Sequence, residues 1–145
     1  MSGTNSKLFT PEEATRMLPL VGAIARDATT AWKQLESAKR ELRKTSARRP
    51  RLDPSGAPGP ASADARRLTN DIKALERELE DRRHELEELG CTLRDAEKGL
   101  VDFPAFVGGE LAYICWVPGE ARVTHYHGMQ EGFTGRKPLP AEARS

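Results

Sequence analysis

The triplet His125-Tyr126-His127 carries the residue types best suited to chemistry in this sequence. Alternate residues of a β-strand point to the same face, so a strand here would place both imidazoles side by side. Two imidazoles and one carboxylate form a ligand set that suits Zn²⁺, Fe²⁺ or Ni²⁺. The predicted metal ligands are therefore His125, His127 and Glu131, with Asp102 or Glu97 as alternative carboxylates. The competing interpretation is that both histidines serve packing or lie on the surface.

Cys115 is a candidate fourth metal ligand and the second group with potential reactivity. After a two- or four-residue turn, the numbers of two paired residues sum to an odd value. Cys115 would then share a face with even-numbered residues of the next strand and lie on the face opposite His125 and His127. Only a three-residue loop or a bulge would reverse this. The parity argues against a Cys-His nucleophile, and a small buried thiol is the simpler interpretation. The sequence has no Cys-x-x-Cys pair and Cys91 lies in another predicted element, so we expect reduced thiols.

Two further sets of residues have both a functional and a structural interpretation. Asp95 and Asp102 could act as a carboxylate pair, but aspartates near a glycine also shape loops by accepting backbone hydrogen bonds. The glycine-rich segment 132–136 could present Arg136 to a phosphate or carboxylate. It lacks the strand-to-helix context of a phosphate loop. Pairing of Arg136 with Asp102 or Glu131, which would hold the C-terminal segment, is the preferred interpretation.

The charge distribution argues against nucleic acid or a membrane as the partner. The 145 residues include 23 Lys and Arg and 22 Asp and Glu, a net charge of +1, so no global field favours either. The stretch 39–51 is basic, but no aromatic residue is interleaved for base stacking. No segment reaches the roughly 20 apolar residues of a membrane span, and residues 1–7 lack a signal-peptide run. We expect a cytoplasmic protein.

Two long helices are predicted to make up most of the chain. A capping box opens the first, over residues 10–45, where apolar residues recur at helical spacing. Pro19 lacks a backbone donor, which predicts a kink or break after the first two turns. A second helix is predicted over 64–89, ended by Gly90 as a C-terminal cap. The intervening residues 46–63 are rich in Pro, Gly, Ala and Ser, which predicts a flexible linker.

Residues 91–139 are predicted to form a β segment with an ordered tail. Strand-like runs at 111–117 and 122–127, separated by a Pro-Gly turn, indicate a β-hairpin. Residues 92–94 are a candidate third, edge strand, and residues 99–104 are predicted to be a loop of fixed shape. The predicted fold class is α+β, mainly α: one domain with a long antiparallel helical hairpin and a small C-terminal β-hairpin or three-stranded antiparallel sheet.

Several motifs of the C-terminal half occur together. They are Gly99-Leu100-Val101-Asp102-Phe103-Pro104, Tyr113-Ile114-Cys115-Trp116 followed by Gly119-Glu120, Tyr126-His127, and Glu131-Gly132-Phe133-Thr134-Gly135-Arg136. In this combination the chain resembles the bacterial family known as domain of unknown function 2203. The resemblance covers most of the chain, because the family also begins with a Phe-Thr-x-x-Glu-Ala helix start and a Leu-Pro-Leu step. Two departures are Tyr126, where the family often has Trp, and the Pro-rich insert 49–62.

The resemblance implies no activity, because none is assigned to the family, but its motifs indicate candidate binding residues. These are Asp102, Trp116, Tyr126, Phe133 and Arg136. We expect a non-enzymatic binding or assembly module that forms a homodimer through a coiled-coil-like helical hairpin and presents a C-terminal recognition surface to a protein partner. The alternative is a small protein that binds a divalent transition metal through His125 and His127.

Overall fold

The computed structural model describes residues 7–47, 56 and 60–140, the first three residues of the last range by their backbone alone. This part of the chain is α+β, as predicted, with α1 (Pro11–Arg16), α2 (Leu18–Ser46), α3 (Pro60–Glu88), β1 (Thr92–Asp95), β2 (Leu100–Val107), β3 (Glu110–Trp116), β4 (His125–His127) and β5 (Lys137–Pro138). It divides into two compact units, Met1–Thr29 with Asp81–Ser145, and Thr30–Glu80. No helix among the described residues is long and apolar enough to cross a bilayer.

The first helix begins with the predicted capping box. The Thr10 hydroxyl accepts from the Glu13 backbone N–H at 3.1 Å, and the Glu13 carboxylate accepts from the Thr10 N–H at 2.9 Å. These bonds satisfy two of the donors that a helix start leaves open. The helix ends at Arg16, Met17 caps it, and α2 begins at Leu18. The predicted break near Pro19 is confirmed.

The third helix ends as the sequence indicates. Gly90 adopts a φ of 96°, which favours glycine, and its N–H donates to the Glu87 carbonyl at 3.0 Å. The N–H of Cys91 donates to the Leu86 carbonyl at 3.1 Å, which completes a Schellman motif. The helix begins at Pro60 rather than residue 64. Most of the predicted linker lies outside the described residues.

The sheet is larger than predicted: the predicted antiparallel pairing of the strands at 111–117 and 122–127 is present as β3 with β4, and a second hairpin was not predicted. Among the described residues the sheet has five antiparallel strands in the order β1-β2-β3-β4-β5, so the prediction of two or three strands was wrong. The supposed loop at 99–104 is mostly β2, which pairs with β3 across a two-residue turn at Gly108 and Gly109. Both glycines have positive φ, as tight hairpin turns require. Strand β1 confirms the predicted edge strand at 92–94.

The two faces of the sheet differ in chemistry. One face carries the fully buried Phe103 and the nearly buried Trp116. The Phe103 ring lies 5.3 Å from that of Phe9 in an edge-to-face arrangement, and the Trp116 ring lies so close to Gly22 of α2 that a Cβ there would be 3.2 Å away. The start of the chain and α2 therefore cover this apolar face. The opposite face holds the buried polar residues.

Cys91, 1% exposed, provides a pH-dependent test of the burial at the end of α3. Burial raises the pKa of its thiol from 9.0 to about 12. The unfolded chain releases this proton at a lower pH than the folded chain does, so above about pH 9 the unfolded state binds fewer protons and stability falls. We expect wild-type protein to lose up to about 1.4 kcal/mol of unfolding free energy per pH unit relative to Cys91→Ala. Urea denaturation of both proteins at about pH 8 and pH 10 measures this difference, and parallel pH profiles would contradict it.

Candidate functional site

Strand register brings the polar residues of three strands to one face. Asp102 of β2 lies opposite Cys115 of β3, which in turn lies opposite His125 of β4. One step further along the sheet, Tyr113 lies opposite His127. The expectation that Cys115 faces away from both histidines was therefore wrong. The reason is that β3 and β4 are joined by the long segment 117–124 rather than a tight turn, so turn parity does not set their register.

Asp102 is the centre of a buried ionic network. Its side chain is fully buried, and Oδ2 accepts from Arg94 Nε at 2.6 Å. Oδ1 lies 2.7 Å from Nε2 of His127, which is also fully buried. On the other side of the ring, His127 Nδ1 donates to the Gly128 carbonyl at 2.8 Å. The hydrogen bond from Arg94 to Asp102 is the largest cause of the raised pKa of that guanidinium.

Tyr113 covers this network on its solvent side. Its ring centroid lies 5.5 Å from that of His127, and the Arg94 guanidinium lies 5.1 Å from the same ring. Arg94 side-chain exposure is 36%, so part of the guanidinium reaches solvent while its Nε points inward. An aromatic face beside a guanidinium adds a favourable electrostatic contact. Asp102 and His127 are thereby sealed from water.

Cys115 is held by the C-terminal segment. Its side chain is fully buried, and Sγ accepts from Arg136 Nε at 3.1 Å. Burial raises the pKa of the Cys115 thiol, although the hydrogen bond from Arg136 opposes this. Reactive cysteines are partly exposed and have lowered pKa values. Cys115 has neither property, which supports the expectation that it is not a catalytic nucleophile.

Glu120 fixes Arg136 in place. Its Oε1 accepts from Arg136 Nη2 at 2.8 Å and from the Val117 backbone N–H at 3.0 Å. Trp116 Nε1 donates to the Glu120 carbonyl at 2.7 Å. Arg136 thus holds the C-terminal segment, as predicted, but through Glu120 rather than Asp102 or Glu131. Glu131 instead accepts from the Gly128 N–H at 2.7 Å, which occupies one oxygen of its carboxylate.

The predicted metal ligands do not converge. His125 Nδ1 lies 3.0 Å from Thr124 Oγ1 and 3.8 Å from Glu120 Oε2. A different group does converge: one donor atom each from Asp102, Cys115 and His127 lie within 4.8 Å of one another. Within the part of the chain that the structure describes, no other group of three His, Cys, Asp or Glu residues meets this condition. Of the predicted ligands, His127 and the alternative carboxylate Asp102 belong to this group, whereas His125, Glu131 and Glu97 do not.

These buried groups belong to the motifs that carried the family resemblance. The family described as Uncharacterized conserved protein (DUF2203) matches residues 7–139. The chain belongs to this family. The match includes every residue of the polar network, so the network lies within the DUF2203 region rather than in an appended segment. Neither a curated protein nor a solved structure matches the chain.

The other candidate binding residues of the DUF2203 region are scattered. Trp116 is buried on the apolar face. Tyr126 lies opposite Ile114, whose face is the same apolar one. Phe133 is 40% exposed and has the ammonium of Lys98 5.1 Å from its ring. These side chains therefore do not form one binding site with Asp102.

Two members of the network, Arg94 and Glu120, were not predicted from the sequence. A signal for Arg94 exists: Asp102 interrupts the apolar run of β2, and a buried carboxylate requires a cation. Glu120 follows a Pro-Gly turn and belongs to a family motif, but neither feature predicted its ion pair with Arg136. Asp95, proposed as a partner of Asp102, instead accepts from the Lys98 backbone N–H at 3.2 Å, the loop-shaping alternative.

Proposed function

We propose that this DUF2203 chain is a non-enzymatic binding and assembly module whose sheet presents a recognition surface for protein. The observation that carries the proposal is a pair of exposed apolar side chains at the end of the β2–β3 hairpin. Phe106 and Leu111 lie directly opposite each other and are 59% and 54% exposed. Folded monomers rarely expose adjacent large apolar residues without a use for them.

The pair belongs to a larger surface on the polar-network face of the sheet. The next cross-strand pair is Pro104 and Tyr113, both half-buried. We call these four residues, Pro104, Phe106, Leu111 and Tyr113, the hairpin patch. Removing one large apolar side chain from water contributes about 1.5–3 kcal/mol, so covering the patch is a substantial gain for a partner. Tyr113 links this surface to the buried network through its contact with His127.

The buried network itself supports a binding rather than a catalytic function. A general base needs a free ring nitrogen near the proton it removes. Both nitrogens of His127 already face oxygen atoms, and the ring is fully buried. Cys115 is likewise buried with a raised pKa. Neither group is available to a substrate in this arrangement.

The long helices are the proposed site of self-association. We infer an antiparallel, coiled-coil-like hairpin of α2 and α3 that pairs with a second copy to form a homodimer. In the unit Thr30–Glu80, Leu42, Ile72 and Leu75 are only half-buried, which leaves apolar surface for a partner. Free Cys91 and Cys115 fit a reducing, cytoplasmic location. No nucleic acid or membrane partner is proposed.

Light scattering on the purified chain tests the assembly. We expect the mass of a dimer at micromolar concentration, and the mass of a monomer for the double variant Ile72→Glu/Leu75→Glu, because two carboxylates cannot be buried unpaired. Glu76→Gln, an exposed change on the same helix, is the matched control and should remain dimeric. A monomeric wild-type protein would contradict the proposal.

A second pair of substitutions locates the interface. Phe106→Ser with Leu111→Ser should leave the dimer intact and remove binding of an apolar fluorescent probe to the hairpin patch. Loss of the dimer in this variant would place the second copy on the sheet rather than on the helices. Unchanged probe binding would contradict the assignment of the patch as a recognition surface.

A further inference from the structure

The contact between His127 and Asp102 brings two hydrogen-bond acceptors together. The Gly128 carbonyl can only accept, so the His127 Nδ1 that lies 2.8 Å from it carries a hydrogen. A neutral imidazole then has a lone pair on Nε2, and this atom lies 2.7 Å from Asp102 Oδ1. A carboxylate oxygen is also an acceptor. Two acceptors at this distance require a shared cation, which is either a proton or a metal ion.

The position of Cys115 favours the metal ion. Its Sγ lies within 4.8 Å of the Asp102 and His127 donor atoms, and all three side chains are fully buried. Thiolate sulfur, imidazole nitrogen and carboxylate oxygen are the donors that zinc takes in proteins, at about 2.0–2.3 Å from the metal. Movements of about an ångström bring the three donors to those distances. A shared proton accounts for the contact between His127 and Asp102 alone, whereas a metal ion also accounts for the position of Cys115 beside them.

Each of the three donors is also held by an outer contact. The Gly128 carbonyl selects the tautomer that leaves His127 Nε2 free to coordinate, which is the usual arrangement of a metal-bound histidine. Arg94 binds Asp102 Oδ2 and so directs Oδ1 toward the cluster. Arg136 donates to the Cys115 Sγ at 3.1 Å and offsets the charge of a thiolate. The outer contacts of a metal site are therefore complete.

We propose that Asp102, Cys115 and His127 bind one divalent ion of the zinc class in a buried site. Asp102 lies in β2, Cys115 in β3 and His127 in β4, so the ion would join three strands of the sheet. Binding releases to solvent the thiol proton and the proton shared between Nε2 and Oδ1, with no change of oxidation state. The three donors are not residues of the hairpin patch, although Tyr113 of that patch contacts the His127 ring, and the site does not depend on the assembly function.

The test uses protein purified without a histidine tag, with zinc measured by elemental analysis after dialysis. We expect about one zinc per chain, the stoichiometry of a single site. Metal-free protein titrated with Co²⁺ should show a thiolate-to-cobalt charge-transfer band. Cys115→Ser should lose the band, while Cys91→Ser should keep it, because Cys91 lies outside the cluster. Both variants change one buried thiol to a hydroxyl.

A third variant separates coordination from folding. In Asp102→Asn, the amide N–H can donate to His127 Nε2 and the amide oxygen can accept from Arg94, so the fold is expected to survive. Cobalt affinity should nevertheless fall by more than about 100-fold. Even the mutation of a residue that only hydrogen-bonds to a metal ligand lowers metal affinity by about 10–100-fold. Natively folded wild-type protein with neither bound zinc nor a charge-transfer band would overturn the proposal, as would a band that persists in Cys115→Ser. A zinc-binding monomer would leave this site intact and contradict only the assembly proposal.

Discussion

Replacing Asp102 with Ala should lower the free energy of unfolding of the metal-free protein by about 3–5 kcal/mol. The carboxylate is fully buried and is shared by Arg94 and His127. Its removal leaves the His127 Nε2 without a partner and Arg94 without its counter-charge. Losing one member of a buried pair costs more than the pair contributes, because the remaining polar groups stay desolvated.

Urea denaturation followed by circular dichroism measures this loss. Asp102→Asn, which can keep both hydrogen bonds, should lose markedly less stability than Asp102→Ala. Asp95→Asn is the matched control: its carboxylate is partly exposed and pairs with Lys98 at 3.8 Å, so a change within about 0.5 kcal/mol is expected. Equal losses in Asp102→Ala and Asp95→Asn would show that the buried network does not stabilise the fold.

Replacing Phe103 with Ala should cost about 3–5 kcal/mol. The ring is fully buried on the apolar face and contacts Phe9 edge to face at 5.3 Å. Truncation removes this contact and leaves a cavity between the sheet and the segment before α1. That segment is further held by the Phe9 N–H, which donates to the Pro104 carbonyl at 2.7 Å, so the surroundings cannot close the cavity freely.

Strand β2 supplies the matched control for this substitution. Phe106 has the same side chain, lies in the same strand, and is 59% exposed. Phe106→Ala should change the unfolding free energy by no more than about 0.5 kcal/mol. Denaturation of the two variants under identical conditions compares them directly. A large loss in Phe106→Ala, or a small one in Phe103→Ala, would mean that the assignment of the two faces of β2 is reversed.

The helix ends could be predicted because their signals are local. The Thr10 capping box, the break near Pro19 and the Gly90 cap each depend on residues within one helical turn or two. The sheet was underestimated for a physical reason. Gly99 and Pro104 are typical of a loop, but Leu100, Val101 and Phe103 become a strand because burial of their side chains outweighs local preference. The turn at Gly108-Gly109 was the available signal for that hairpin.

The sequence by itself determined the family, the α+β class, the start of the first helix and the end of the last, because each depends on short motifs and periodicity. Only the tertiary structure decided which groups meet. Asp102, Cys115 and His127 come from three strands, and the register of β4 is set by packing of the whole sheet rather than by a tight turn. Parity reasoning along the chain therefore placed Cys115 on the wrong face. The same long-range pairing brought Arg94 to Asp102, a contact that local sequence signals do not encode.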